Sequence, residues 1–501
     1  MSQAAHASRP SRLVLPIAAY SVLLVSALQT LVVPVVANIQ VDLRVSATAA
    51  SWVVTANLLA AAVLTPLVGR LGDLRGRRPV MLGVLVVVLA GSLIAATTAD
   101  LPLLLLGRVM QAASFGLFPL AIGVLREELP PLRLTGAMAL VSGMLAVGAG
   151  LGLVVTGLLM RSGGDYHRLF WLATLMSAVG LAGAWTLPRR KAVASGGIDW
   201  TGAILLGAGL VLLLLPLEEG NTWGWASPAV LVSLAGAVVA FTAFVLVERR
   251  IGQPLVSMRM LTHRPIVLAN VAGLFLGVSM FVAFLAVSVF VQTPAAVAGY
   301  GFGATVLATS LIYLLPGTAA GVVTAPLGGR LVARYGAKAT LVLSMLLAFA
   351  GFTLLAALHT ATWEVIAGAF VVNTAVTFGY AALPPLLIEH VAPAETGIAN
   401  SVNSIARSVG MSLGTAFVIT MLTRDLIPGA PVPVPRESQF VLVFAGAAAG
   451  TLIAAALIAW GLPRGRRTAL TTGEVELEDV LGAAGLDVPT TPAGRPSTAR
   501  I

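Results

Sequence analysis

The densest cluster of ionisable side chains in this sequence is a basic loop that surrounds one carboxylate. The loop, residues 69–78 (GRLGDLRGRR), surrounds Asp73 with arginines that include Arg77 and Arg78. Gly69 and Gly76 supply the sharp turn or close backbone approach that a short connection needs. Asp73 can pair with an arginine or cap a helix, and such a bridge can form in one conformation and break in another. The pattern therefore predicts a conformational gate; the alternative is a set of ordinary basic anchors at a membrane surface.

Two further arginines lie within long apolar runs. Arg108 is followed one turn later by Gln111, and Arg407 lies in a later run. A guanidinium in hydrocarbon costs at least about 2.5 kcal/mol, so Arg108 is expected to face the protein interior or a wet cavity. The alternative for Arg108 is a structural role, bonded to backbone carbonyls.

Neutral polar side chains in the other apolar runs are candidates for the lining of a central cavity. Each taken alone is more often a hydrogen bond between helices than a ligand contact. Taken together, they predict a cavity at the interface of two halves of the molecule. They are Gln29, Asn57, Tyr20, Tyr313, Asn373, Tyr380 and Asn403, with Thr30, Ser114 and Asn270.

The acidic residues do not mark an evident proton carrier. None of the 20 lies near the middle of an apolar run, and Glu218 and Glu219 are expected just beyond the end of one. If the molecule is a proton-coupled carrier, coupling can still use an acid at a helix end, such as Asp42 or Glu128, or the charge of the cargo. If Arg108 has no carboxylate partner, the cavity is expected to accept neutral or anionic cargo better than lipophilic cations.

Several kinds of chemistry are excluded or disfavoured. The chain has no cysteine, which excludes thiolate nucleophiles, disulfides and cysteine-ligated metals. The five histidines lack metal-ligand spacing, and no phosphate-binding loop of the Gly-x4-Gly-Lys-Ser/Thr type occurs. No acid pair, and no nucleophile with its base, can be placed on one membrane face. We therefore expect neither an enzyme nor a metal or cofactor.

The elements that must position these residues are membrane helices. Hydrophobic residues make up 58% of the chain and charged residues 10%, with a mean hydropathy of +0.96, which excludes an ordinary water-soluble fold. A membrane helix takes about 20 apolar residues, and fourteen such runs occur. They lie at 13–35, 50–69, 79–98, 101–125, 135–159, 168–187, 199–217, 227–247, 266–291, 303–327, 339–358, 363–387, 397–423 and 439–461.

The basic residues predict the orientation of these helices. Most of the 30 Arg and Lys residues fall in alternate loops or in the tails, on one side of the membrane. Because short cytoplasmic loops carry the excess of positive charge, that side is expected to be the cytoplasm. We therefore predict a bacterial-type inner-membrane protein with both termini in the cytoplasm. Basic residues spread thinly between apolar runs also argue against nucleic-acid binding.

An internal repeat divides the chain. A degenerate copy of the basic loop occurs at residues 329–338 (GRLVARYGAK). It aligns the first five runs with the ninth to thirteenth and leaves the seventh and eighth without a counterpart, as expected for a duplicated transporter bundle with an insert. The predicted domains are a tail, a six-helix bundle, a two-helix insert, a second six-helix bundle and a largely disordered tail. They cover residues 1–12, 13–187, 188–262, 263–461 and 462–501.

The basic loop resembles the loop signature of the major facilitator superfamily. The matching residues are Gly69, Leu71, Asp73, Gly76, Arg77 and Arg78. Other stretches resemble the fourteen-helix drug:proton antiporter group within that family. These are 199–202 (DWTG), 219–225 (EGNTWGW), the set Glu395, Gly397, Asn400, Asn403, Arg407, Gly410 and Gly414, and the glycines Gly148, Gly152 and Gly157 of the fifth run. The resemblance implies a fold of two six-helix bundles plus two inserted helices, and a part for Arg108 in proton coupling.

The resemblance also implies a function. A member of this group would export small amphipathic molecules, such as drugs or antibiotics, by alternating access in exchange for protons. Its expected partners are that cargo, protons and membrane lipid, and the expected functional unit is a monomer. Gln29 stands where many relatives have aspartate, and Leu153 where the antiporter signature has proline. These departures favour an alternative, an importer or facilitator of a small metabolite that is proton-independent or proton-symporting; a non-transporting scaffold or sensor is a further alternative.

Overall fold

The computed structural model describes residues 13–160, 165–190, 192, 197, 199–252, 254–428 and 434–462. Within these residues the regular secondary structure is helical, and the one β feature is an isolated bridge between Leu426 and Pro435. The predicted tail 1–12, and the predicted tail 462–501 except Leu462, lie outside the described residues. The all-α fold class is confirmed.

Helices occupy each of the fourteen predicted positions in the described part of the chain. Twelve helical stretches are long and apolar enough to cross a membrane, with α10 and α11 counted as one, and α1 is shorter at 17 residues. The helices are α1 (Val14–Thr30), α2 (Ala47–Arg75), α3 (Arg77–Thr97), α4 (Leu101–Glu128), α5 (Pro131–Leu159), α6 (His167–Trp185), α7 (Trp200–Trp223), α8 (Pro228–Glu248), α9 (Arg264–Gln292), α10 and α11 (the two parts of Thr309–Ala357), α12 (Thr362–Ile388), α13 (Thr396–Leu422) and α14 (Glu437–Gly461).

Two glycines divide helices at equivalent places in the repeat. Gly76 separates α2 from α3 with φ 89° and ψ 145°, and Gly336 separates α10 from α11 with φ 86° and ψ 163°. A residue with a Cβ is strained at positive φ, whereas glycine is not. Because both glycines occupy the same position in the two copies of the basic loop, the internal repeat is present in the backbone as well as in the sequence.

The buried apolar side chains form two clusters. One consists of residues between Val14 and Leu187. The other is drawn almost entirely from residues between Ala203 and Leu462. α5 packs on α1 within the first set of helices and on α10 of the second, and α2 packs on α13. The bundle boundaries at 13–187, 188–262 and 263–461 stay predictions.

Small residues let α5 approach α1 closely. A Cβ on Gly148 would lie 2.5 Å from the Leu23 carbonyl oxygen, and a Cβ on Gly152 would lie 3.0 Å from the Ala27 carbonyl oxygen. Gly157 instead faces the chain just before α10. Two of the three predicted glycines therefore serve contact between α5 and α1, in the manner of small residues at membrane helix interfaces.

The seventh helix is longer than its hydropathy indicates. The apolar run predicts an end at Leu217, but α7 continues to Trp223, and Gly224 with φ 87° ends it. The expectation that Glu218 and Glu219 lie beyond the helix is therefore wrong. The extra turns are polar on the side toward α13, where Asn221 accepts a hydrogen bond from Thr420 (3.0 Å), so hydropathy underestimates the helix.

Candidate functional site

A small cavity lies between the two sets of helices. Its volume is about 40 Å³, enough for one or two water molecules. Helices α1, α4 and α5 form one side, and α9, α12 and α13 form the other. The lining is mainly apolar and aromatic, with hydroxyl, amide and guanidinium groups among it. The lining residues are Val25, Ser26, Gln29, Phe115, Phe118, Leu145, Met280, Tyr380, Ser404, Arg407, Ser408 and Met411.

Arg407 carries the charge that borders this cavity. Its guanidinium carbon lies 4.6 Å from the ring centre of Phe118 and 5.1 Å from that of Tyr380. It donates to Ser404 Oγ (2.9 Å) and to Asn403 Oδ1 (3.3 Å). In the described part of the chain it forms no salt bridge with an acid. Ring faces and neutral oxygens therefore stabilise this cation, and its positive field is left for an occupant of the cavity.

Arg108 lies apart from the cavity, in a polar network at the centre of the first four helices. It is 1% exposed and donates to the carbonyl oxygen of Val53 (2.9 Å) and to Gln111 Oε1 (2.7 Å). Asn57 donates to the Arg108 carbonyl oxygen (2.8 Å), and Gln111 donates to Ser92 Oγ (2.9 Å). These bonds join α2, α3 and α4. No carboxylate pairs with Arg108 among the described residues, which is the condition under which neutral or anionic cargo is expected.

Asp73 joins the two sets of helices at one end of the molecule. Its carboxylate is fully buried and accepts from Nη2 of Arg77 (3.0 Å), the first residue of α3. It also accepts from the backbone N–H of Gly397 (3.0 Å), in the first turn of α13. Arg77 in turn contacts Glu127 of α4. A carboxylate at the N-terminal end of a helix is stabilised by the free N–H groups and the helix dipole, so Asp73 clasps α2 to α13.

Three more contacts close the same end, and we call the four together the Asp73 clasp. Ser401 of α13 donates to the carbonyl oxygen of Thr65 (3.1 Å). A Cβ on Gly69 would lie 2.9 Å from the Gly397 carbonyl oxygen, so glycine permits the close approach of the two helices. Arg126 of α4 donates to Thr396. The predicted gate residue Arg78 is not part of the clasp; it donates to the carbonyl oxygen of Trp185 (2.5 Å).

An ion pair outside the spanning segments lies next to the clasp. Arg190 Nε donates to Glu128 Oε1 (2.6 Å), and this hydrogen bond and charge raise the pKa of Arg190. The carbonyl oxygen of Arg190 lies 3.2 Å from the position that a Cβ on Gly76 would occupy. The chain after α6 is therefore attached beside the turn between α2 and α3. Glu128, whose side chain is only 4% exposed, is engaged in this pair and does not reach the cavity.

The structure sorts the predicted cavity residues into two groups. Gln29, Tyr380 and Arg407 line the cavity, and Gln29 contacts the sulfur of Met411 across it (3.6 Å). Most of the others bond to neighbouring helices or to their own helix: Tyr20 to Met176, Asn57 to Arg108, Tyr313 to Thr362, Asn373 to Ala369 and Asn403 to Ala269. The buried Ser114 hydroxyl has no hydrogen-bond partner among the described residues. Sequence reasoning missed the aromatic and methionine lining, because such residues in an apolar run carry no sign of which way they face.

A metal site is not present in the part of the chain that the structure describes: no group of three or more His, Asp or Glu side chains could hold an ion there. The histidines in the described part of the chain, His167, His263, His359 and His390, are not among the residues that line the cavity.

Comparison with known proteins gives matches along most of the chain. A family model described as Major Facilitator Superfamily matches residues 18–415 and, separately, residues 267–493. The tetracenomycin C resistance and export protein of Streptomyces glaucescens is 29% identical over 84% of this chain and 80% of its own. Multidrug resistance protein 3 of Bacillus subtilis is 28% identical over 79% and 76%. A probable actinorhodin transporter of Streptomyces coelicolor is 27% identical over 76% and 67%.

Two solved structures share the fold. The proton:xylose symporter XylE aligns with a TM-score of 0.63 at 14% identity, covering 90% of this chain and 95% of its own. The human organic anion transporter MFSD10 aligns with a TM-score of 0.59 at 17% identity, covering 90% and 99%. At these identities the likeness concerns the arrangement of helices alone.

Proposed function

The chain belongs to the Major Facilitator Superfamily, and on that premise we propose that it exports small amphipathic organic molecules by alternating access in exchange for protons. The family and the named relatives are transporters of small molecules and not enzymes, so transport across a membrane by a multi-span helical protein is the established part. Export, proton exchange and a monomeric working unit are the proposed parts.

The observation that carries the proposal is the position of the cavity relative to the Asp73 clasp. Both sets of helices line the cavity. The clasp joins the two sets at one end through hydrogen bonds, which can break and form again when the helices move apart and together. We propose that the clasp closes the cytoplasmic end; its arginines and the predicted cytoplasmic position of both termini support this. Opening the clasp would expose the cavity to the cytoplasm, and closing it would commit cargo to the other side.

The relatives support export of antibiotic-like cargo. The names of two of them refer to tetracenomycin C export and to actinorhodin transport, and that of a third to multidrug resistance. The cavity of this chain agrees with such cargo in its chemistry. Phe115, Phe118 and Tyr380 offer ring faces for a planar molecule, and Arg407 offers a cation that no acid neutralises. We therefore propose neutral or anionic aromatic cargo.

Import or facilitated diffusion is the second candidate. The cavity lining contains no acid, and Gln29 stands at the α1 position that faces it, so a proton-binding group is missing from the wall itself. Counterflow in vesicles separates the candidates. An exporter accumulates cargo in inside-out vesicles when their interior is acidic, whereas a facilitator only equilibrates it.

The export proposal is tested in a bacterial host that lacks its own drug exporters. Cells that produce the chain are expected to resist at least one lipophilic antibiotic, and an uncoupler should abolish the resistance. Arg108→Ala and Asp73→Ala are expected to abolish it too, with protein present at the normal level. Lys338→Ala, at the end of the degenerate second loop, is the control and should retain resistance. Unchanged susceptibility across neutral, anionic and cationic compounds would count against export.

A further inference from the structure

The inserted helix α7 brings a carboxylate to the transport helices. Glu218 lies five residues before the end of α7 at Trp223. It is partly buried, and one of its oxygens accepts a hydrogen bond from Ser412 Oγ of α13. The sequence offers no sign of this contact, because the apolar run ends just before Glu218.

The partner, Ser412, lies in the middle of α13 and not at its end. It precedes the end at Leu422 by about 15 Å at 1.5 Å per residue. It directly follows Met411 and lies one turn after Ser408, and both of these line the cavity. Ser412 itself is 4% exposed. Because Ser412 lies four residues after Ser408, the carboxylate of Glu218 contacts α13 at the flank of the face that forms the cavity wall.

No cation neutralises Glu218 among the described residues. Its charged neighbour in α7 is Glu219, which has the same sign. On α13, Arg407 precedes Ser412 by more than one turn and is engaged with Asn403 and Ser404. On α8, Glu248 lies at the opposite end of α7, near Gly202, and Arg70 of α2 interacts with Glu248 at that end. A carboxylate that is partly withdrawn from water and has no cation beside it binds protons more readily than an exposed one.

We propose that Glu218 is a proton-binding site of the transport cycle and that the inserted pair of helices supplies it. The inference rests on the proposed exchange for protons. The Glu218 carboxylate takes one proton from water and becomes the neutral acid, and it later returns that proton to water on the other side. In the charged form it accepts from Ser412, and in the neutral form its O–H can donate to Ser412 Oγ. The change of bond direction acts on α13, which carries both the cavity wall and the Gly397 end of the clasp.

Infrared difference spectroscopy of the full chain in lipid tests proton binding without any cargo. The difference between the spectra at acidic and alkaline pH is expected to contain the carbonyl band of a neutral carboxylic acid, which forms on acidification and which Glu218→Gln removes. Glutamine keeps an oxygen that accepts from Ser412, so a purely structural bond survives this change. Glu219→Gln is the matched control and should leave the band in place. An unchanged band in Glu218→Gln, or equal loss in Glu219→Gln, overturns the assignment.

Transport by reconstituted vesicles tests whether the bound proton moves. The probes are fluorescein as an anionic aromatic dye and tetracenomycin C as a neutral one. In Glu218→Gln, uptake driven by a pH gradient should be lost, while exchange of labelled for unlabelled probe continues. A band that disappears without loss of gradient-driven uptake overturns the carrier role. If uptake by the wild-type protein does not respond to the pH gradient, proton exchange in the proposed function is refuted. If the gradient drives uptake equally well in the wild type and in Glu218→Gln, only the role of Glu218 is refuted.

Discussion

Arg407 keeps a positive charge inside the protein without an acid beside it. Two ring faces and two neutral oxygens surround its guanidinium. Such contacts can stabilise a desolvated cation by about 2 kcal/mol, yet they leave the net charge in place. The guanidinium N–H groups of Arg108, by contrast, donate to backbone carbonyl oxygens and to Gln111. The two arginines are alike in the sequence and differ in what they can offer a cargo.

Replacing Arg407 should therefore change which cargo is preferred. We expect Arg407→Gln to lower the transport of fluorescein relative to the cation ethidium, because the positive field at the cavity is removed. Arg407→Lys keeps the charge but loses the planar group, so it should retain the preference for the anion with a binding free energy weaker by about 1 kcal/mol. Initial rates in vesicles, with both dyes at several concentrations, measure the ratio. An identical ratio in wild type and Arg407→Gln would disprove the proposed part of Arg407.

At the same scale, the sequence predicts which residues are polar but not where they point. Tyr380 and Tyr313 both stand in apolar runs, and only Tyr380 reaches the cavity. The difference arises from the rotation of each helix about its axis, which composition does not record. Polar groups stand out in an apolar run, so Gln29 and Arg407 could be found. Phe118 and Met280 could not, because lipid and cavity walls accept the same side chains.

Among the elements, the turn at Gly336 has a conformation that only glycine adopts without strain. Its φ of 86° is matched at Gly76 in the first copy of the loop. A Cβ added at Gly336 would meet no atom within 4 Å. The cost of a side chain there is therefore a backbone cost and not a packing cost.

We expect Gly336→Ala to lower the thermal midpoint of the purified protein, with a loss of about 1–2 kcal/mol from the left-handed backbone. Gly83→Ala is the matched control. Its added Cβ also meets no atom within 4 Å, but Gly83 lies within α3, where alanine is favoured over glycine by up to about 1 kcal/mol. Tryptophan fluorescence during heating follows both variants. Equal thermal midpoints for the two variants would show that a side chain at position 336 does not strain the backbone.

Helix positions follow from the sequence because each span must hide its backbone from lipid. Helix ends follow less well. α2 continues through Asp73 and α7 through Asn221, although both stretches are polar enough to suggest loops. In each case a partner on α13 satisfies the polar group, and that partner is distant in sequence. Hydropathy therefore finds the middle of a helix and misses ends that are supported by tertiary contacts.

For the whole molecule, the proposed alternating-access cycle requires the clasp to open in every turn of the cycle. The chain contains no cysteine, so the two cysteines of a double variant are its only thiols. We expect Thr65→Cys with Ser401→Cys to cross-link under oxidation, because Ser401 Oγ lies 3.1 Å from the Thr65 carbonyl oxygen. Oxidation should stop transport and a reductant should restore it. The two single variants are controls, and continued transport by fully cross-linked protein would show that this end does not need to open.

The two copies of the basic loop have the same backbone turn but differ in their acidic residue. Gly336 reproduces the backbone of Gly76, but the position that corresponds to Asp73 is Ala333. The second half therefore has the same backbone turn as the first but lacks the carboxylate that accepts hydrogen bonds in the clasp. If the Asp73 contact belongs to the proposed gate, we expect inherited variation at Asp73 to shift the balance between the two open forms more than variation at Ala333.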